Sequence, residues 1–256
     1  MNWKTFYAML SRDGHVACRN LIPTLVQNLL QPMLLTFVFG RILTTSGMMK
    51  MDYKNVLLPG IIAISMVLSG VWAVAMPLIS EFQFTREIED RLLAPMETHW
   101  LAVEKVIAGM IQAMVSGLVV IPSAWLVMGK GVSLDFSHPL EFAAVCLLVA
   151  LLSAAGGLTL GCSIGQTQIG LMFSMVIAPM MMFGCAYYPW SALASFPTLQ
   201  YVVLINPLVY ASEGLRGTLA PQVPHISIPL VLGALVAFDL VLLVVGLKKF
   251  GDKAVS

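Results

Sequence analysis

Charge is what this sequence has least of. Asp, Glu, Lys and Arg together make up 11% of its 256 residues, and the net charge is +1. A soluble domain carries about 25% charge, so the solvent for most of this chain, which is 59% hydrophobic, is lipid. A balance so near zero gives no case for nucleic acid as a partner. Chemistry-bearing motifs are also missing. There is no G-x-x-x-x-G-K-[ST] phosphate loop; the nearest string, MGKGVS at 128–133, has the wrong spacing. There is no H-E-x-x-H pair and no catalytic-triad signature. The four cysteines, Cys18, Cys146, Cys162 and Cys185, form no C-x-x-C and read as small buried hydrophobes, not as redox or metal groups. The four histidines, His15, His99, His138 and His225, are equally scattered and read as interfacial residues. These absences point away from an enzyme and from any cofactor or metal held by the chain itself.

What is present is a set of long uncharged runs. Residues 20–40, 55–80 and 106–129 contain no Asp, Glu, Lys or Arg, and 142–212 continues without one for 71 residues. A membrane-spanning helix needs about 20 predominantly apolar residues. The runs predict an all-α membrane protein with six spans, at 22–42, 56–80, 104–128, 141–162, 169–187 and 228–247. The polar string SIGQTQIG at 163–170 divides the fourth from the fifth. Between the fifth and sixth, Pro189, Pro197, Pro207, Pro221 and Pro224 cut an apolar stretch into pieces too short to cross. Such pieces suggest re-entrant helices at 189–214, since irregular backbone at membrane depth is tolerated only inside protein or along a wet cavity. The N-terminus is not expected to be a signal peptide, because Lys4, Arg12, Asp13 and Arg19 interrupt it. With the N-terminus inside, Lys4, Arg12, Arg19, Arg86, Arg91, Lys105, Lys248, Lys249 and Lys253 fall inside, and Arg41, Lys50, Lys54, Lys130 and Arg216 outside. That bias predicts both termini in the cytoplasm.

The densest charge cluster, EFQFTREIEDRLLAPM at 81–96, sits between the second and third spans. Phe84, Ile88 and Leu92 recur every four residues and make an apolar stripe, while Arg86 with Asp90, and Glu87 with Arg91, form i,i+4 pairs. Pro95 stops the helix. Two readings fit this 82–95 segment: a lever whose stripe docks in a partner's groove, or a solvated helix lying on the membrane. Residues 2–19, with Trp3, Phe6, Tyr7 and Leu10 on one face, read as an interfacial amphipathic helix.

Small residues recur every four positions at Ser153, Gly157, Gly161 and Gly165, at Gly170, Ser174 and Ala178, and at Gly109, Ala113 and Gly117. Such rows let helix backbones approach closely in lipid, within one chain or between two. One ionisable residue, Asp239, lies in the middle of the sixth span. An intramembrane carboxylate is costly and marks a functional candidate. It fits a hydrogen bond to a neighbouring helix, or a wet site in a gradient-driven secondary transporter or channel. A third possibility for the whole chain is a membrane anchor that recruits a cytoplasmic factor without transporting anything.

Taken in order, LLPGIIAISMVLSG (57–70), EFQFTREIEDRLLAPM and GCAYYPWSALASFPTLQYVVLINPLVYASEGLRG (184–217) resemble the permease subunits of ABC-2 type exporters, with the drug, nodulation-factor and polysaccharide permeases of bacteria the nearest in flavour. The resemblance spans nearly the whole chain. It implies a permease without bond chemistry of its own. It further implies pairing with a second permease copy, two copies of a separate ATPase subunit that hold ATP and Mg, and surrounding lipid in an inner membrane. On this resemblance the 82–95 segment is similar to the helix that meets the ATPase, with Phe84, Arg86, Glu87, Ile88, Asp90, Arg91 and Leu92 as coupling residues, Glu87 and Arg91 matching its charged positions. On the same resemblance Tyr187, Tyr188, Pro189, Trp190, Asn206, Pro207, Tyr210, Glu213 and Arg216 are expected in an extracellular re-entrant gate. The first and fifth spans are rich in Met and Leu where carbohydrate exporters often carry aromatic rows, which tilts the expected substrate toward an amphiphile such as a lipid, drug or natural product.

Overall fold

A computed structural model of the protein describes residues 7, 10–12, 14, 30, 32–48, 53–83, 98–129 and 134–255. Among these residues there are helices and no strand. Four helices are long and apolar enough to cross a membrane: α2 (Tyr53–Gln83), α3 (Thr98–Met128), α4 (Pro139–Ser163) and α8 (Ile228–Val255). Two shorter apolar helices, α1 (Pro32–Thr45) and α5 (Ile169–Met182), accompany them. Between α5 and α8 the chain forms a short turn of helix at Trp190–Ser195, α6 (Pro197–Val202) and α7 (Pro207–Leu219). Most of the interfacial segment 2–19, the first part of the 22–42 span and nearly all of the 82–95 segment lie outside the described residues.

α2 is the axis of the molecule. It is apolar all round, which is the mark of a helix enclosed by others, and every residue from Leu57 through Val71 is buried. α3, α4 and α7 pack against it. Lipid offers no hydrophobic drive for this packing, so close backbone approach has to supply dispersion contacts instead. The small residues make that approach. A Cβ on Gly70 would lie 2.0 Å from the Ser153 hydroxyl of α4, and one on Gly109 of α3 would lie 2.3 Å from Val74 of α2. One on Gly157 would lie 2.7 Å from the Val71 carbonyl oxygen. The rows on α3 and α4 therefore pack within the chain. The row on α5 does not: Gly170 has nothing within 4 Å of an added Cβ, and Gly170 and Ser174 are exposed.

α1 and α5 differ from the long helices in a second way. Each contains a stretch of wide π turns, Thr36–Ile42 in α1 and Phe173–Ile177 in α5. Each also presents apolar side chains outward, Leu34, Phe37, Val38 and Ile42 on α1 and Leu171, Met175, Val176 and Met182 on α5.

Candidate functional site

Of the residues grouped by sequence as an outer gate, Trp190, Glu213 and Arg216 meet at one buried ion pair. Glu213 and Arg216 lie three apart on α7, both fully buried, with an Arg216 Nη1 hydrogen bond to Glu213 Oε1. Three positions on a helix bring two side chains to one face. Neither charge is satisfied by the other alone. Arg216 Nη2 donates to the carbonyl oxygen of Cys185 at 2.8 Å and to that of Val56 at 3.3 Å, and its Nε reaches Val56 at 3.4 Å. Glu213 Oε1 accepts from the Trp190 N–H at 2.8 Å, and Oε2 from the Ile226 N–H at 3.0 Å. A buried pair is tolerable only when its remaining donors and lone pairs are used in this way. The result is a knot that ties four separate segments to α7: the start of α2, the exit from α5, the turn at Trp190 and the approach to α8.

Local backbone features make the knot possible. Cys185 adopts a left-handed conformation at φ 53°, a strained choice for a residue with a side chain, and it turns its carbonyl to Arg216. Gly60 of α2 lets this bend lie against the helix, since a Cβ there would sit 1.9 Å from the Ala186 oxygen. Asn206 caps α7 by accepting from the Leu208 N–H at 3.0 Å, with Pro207 in the first helical position, where its missing N–H costs nothing. The Asn206 amide also donates to Met180 O at 2.7 Å, and the Tyr188 hydroxyl to Met182 O at 3.2 Å. The open carbonyls at the end of α5 are thus met by two residues of the gate group. The Tyr53 hydroxyl donates to the Tyr187 carbonyl at 2.8 Å, and the Trp190 indole donates to Gln200 O at 2.9 Å. Tyr210 packs on Phe238 of α8, with ring centroids 5.8 Å apart. Pro189 precedes the Trp190 turn in extended conformation.

The same end of the bundle holds two more cations, Lys54 buried and Arg41 exposed. Lys54 Nζ donates to Met128 O at 2.9 Å, and Arg41 Nη1 lies 3.5 Å from Val127 O. Both sit at the C-terminus of α3, where carbonyls lack helical donors and the partial charge is negative. Lys54 is 5% exposed and Arg216 has no exposed surface, so these two are structural charges and not loop cations.

At the opposite end α2 meets α3 through a second buried pair, Glu81 and Lys105, at 2.7 Å. Glu81 is where the charged 82–95 segment takes off. Phe84, Arg86, Glu87, Ile88, Asp90, Arg91 and Leu92 themselves lie outside the described residues. Asp239 stands apart from both ends. It continues the buried stripe of Val231 and Leu235 along α8, is 2% exposed, and has no hydrogen-bond partner on either oxygen among the described residues. No group of three or more His, Cys, Asp or Glu able to hold a metal occurs among the described residues.

Sequence reasoning named Glu213 and Arg216 separately, but missed that they pair and that Val56, Cys185 and Ile226 supply backbone partners. Their i,i+3 spacing in an otherwise uncharged stretch was the available signal. The backbone partners left none, because a carbonyl or N–H has no residue-type signature.

Comparison with known proteins matches this architecture to a family. The ABC-2 type transporter family covers residues 4–220. The inner membrane transport permease YadH of Escherichia coli K12 is 26% identical over 223 residues, which is 84% of this chain and 82% of that one. The protein of the same name from Shigella flexneri matches to the same extent. With a family match running from the N-terminal segment through the Glu213–Arg216 helix, the chain belongs to the ABC-2 type transporter family, as a membrane permease component that works with an ABC ATPase subunit and is not itself a catalyst.

Proposed function

We propose that this permease forms half of an ATP-driven exporter in the inner membrane, moving an amphiphilic or hydrophobic substrate outward. Six spans place both termini in the cytoplasm, with the Glu213–Arg216 knot on the outer side and the 82–95 segment on the inner side. Two copies pair, and each engages one of two ATPase subunits, which carry ATP and Mg. ATP closes the ATPase dimer. The 82–95 helix and the 2–19 helix carry that motion into the first, second and fifth spans and open a path between the two copies.

The observation that carries this reading is the run of α2. It is one helix of 31 residues, about 46 Å at 1.5 Å per residue. It starts at the turn held by Arg216 and ends at the Glu81–Lys105 bridge, where the charged segment begins. A helix buried without a break from Leu57 through Val71 and tied at both ends transmits displacement from one to the other. The substrate class rests on α1 and α5. Their outward faces are Leu, Met, Phe and Val, which suit lipids, drugs or natural products better than a bare glycan. The unpartnered small-residue row on α5 suits a pairing face between copies.

Switching a gate from 1:99 to 99:1 requires about 5.5 kcal/mol of differential binding, and the coupling helix has to pass it on without slipping. Replacing Arg86, Glu87 and Arg91 together with alanine is therefore expected to abolish permease-stimulated ATP hydrolysis in a reconstituted complex. Unchanged stimulation in that triple variant would remove the lever from the mechanism. The rival reading, a gradient-driven transporter working through Asp239, predicts activity from the permease alone; membership of an ATPase-dependent family favours the exporter.

A further inference from the structure

α8 does not stop where its apolar part stops. It continues through Lys248, Lys249, Phe250, Asp252 and Lys253 to Val255. A charged helix end of this kind has no need of the bundle, yet this one packs back onto it. Phe250 has no exposed surface and lies among Leu78, Leu101 and Leu158. Its ring meets Phe82 of α2 edge to face, with centroids 5.7 Å apart, a favoured aromatic geometry. Lys253 Nζ stands 4.8 Å from the centroid of the same Phe82 ring, within cation–π range. It also lies 3.5 Å from the Gly161 carbonyl oxygen, and Lys249 Nζ lies 2.7 Å from Ser163 Oγ. α4 ends at Ser163, so its last carbonyls lack helical donors and carry negative partial charge. Lys253 brings a donor to one of those carbonyls, and Lys249 places a second cation at the same end through the Ser163 hydroxyl. Lys253 thereby joins three helix ends at one ammonium group.

Phe82 is the point at which α2 hands over to the 84–97 segment. We propose that the C-terminal turns of α8 are a brace on that root. Phe250 and Lys253 fix the direction in which the chain leaves α2, and so set how displacement of the coupling segment enters the bundle. They are positioning residues: they act through Phe82 and need not touch ATPase or substrate. They lie beyond the family-matched residues 4–220. The functional consequence rests on reading 82–95 as the coupling helix; the brace itself does not.

The test uses the full-length permease in lipid nanodiscs, with and without its ATPase. Trypsin cleavage after Arg86 and Arg91 reads the segment directly. Loss of a half-buried cation–π contact such as that of Lys253 with Phe82 raises the open population about fivefold. Lys253→Ala should speed cleavage at Arg86 and Arg91 by that factor and Phe250→Ala by more, because it also empties a buried position, with cleavage after Lys130 at the other end unchanged. Lys253→Arg, which keeps a cation over the ring, should behave as wild type. In the complex, the same alanine variants should lower stimulated kcat several-fold with KM for ATP unchanged. Cleavage at wild-type rates in both alanine variants overturns the brace. So does equal acceleration at Lys130, which would mean general loosening. Faster cleavage at Arg86 and Arg91 with no stimulation of the ATPase by wild-type permease keeps the brace and rejects the coupling reading.

Discussion

Arg216 and Glu213 hold opposite charges with no exposed surface, and among the described residues every hydrogen bond they make is to backbone or to each other. Removing one partner of such a pair strands the other, at a cost of about 3–5 kcal/mol. Glu213→Gln is therefore expected to lower the thermal midpoint of the purified permease sharply or prevent its accumulation. The double variant Glu213→Leu, Arg216→Met should recover only part of the loss, since the N–H groups of Trp190 and Ile226 and the carbonyl of Cys185 would remain unmet. Full recovery in a melting experiment would show that the pair holds nothing but itself. Asp239 presents the opposite case. Its carboxylate is buried with no hydrogen-bond partner among the described residues, and a stranded polar group costs about 1–3 kcal/mol. Asp239→Leu, close to it in shape, should melt higher than wild type. A lower midpoint would mean that the carboxyl is held by a partner.

Among the elements, α2 is the one whose packing tolerates least. A methyl group on Gly60 would enter the Ala186 carbonyl, which is backbone and has no rotamer to yield. Gly60→Ala is expected to cost about 1–3 kcal/mol or more through overpacking. Gly233→Ala on α8, where nothing lies within 4 Å, should stay within about 1 kcal/mol of wild type. Equal midpoints for the two variants would contradict the close approach of the Cys185 bend to α2. The long helices were legible in the sequence because uncharged runs of the right length have few other uses. The Pro-broken stretch after α5 was legible as short pieces for the same reason that proline ends helices: it lacks a donor and its ring blocks the turn before. What periodicity could not show was which small-residue rows face inward. Ser153, Gly157 and Gly161 and the unpartnered Gly170 and Ser174 carry the same spacing, and only the packed structure separates them. The aromatic and lysine contacts that fold the end of α8 onto Phe82 were also invisible, since Lys248 and Lys249 read simply as the stop of a span.

In the molecule as a whole, the single helix α2 runs from the Glu213–Arg216 knot to the Glu81–Lys105 bridge, and in the proposed function a separate ATPase subunit supplies the power. In that proposal the charged 82–95 segment grips that subunit. The most direct measurement is affinity purification of the permease from its native membrane, followed by mass spectrometry of what accompanies it. The expected result is recovery of an ABC ATPase subunit, and its loss when Glu87 and Arg91 are reversed in charge while the permease still folds. Recovery of the permease without an ATPase, or an ATPase still bound after both reversals, would contradict it.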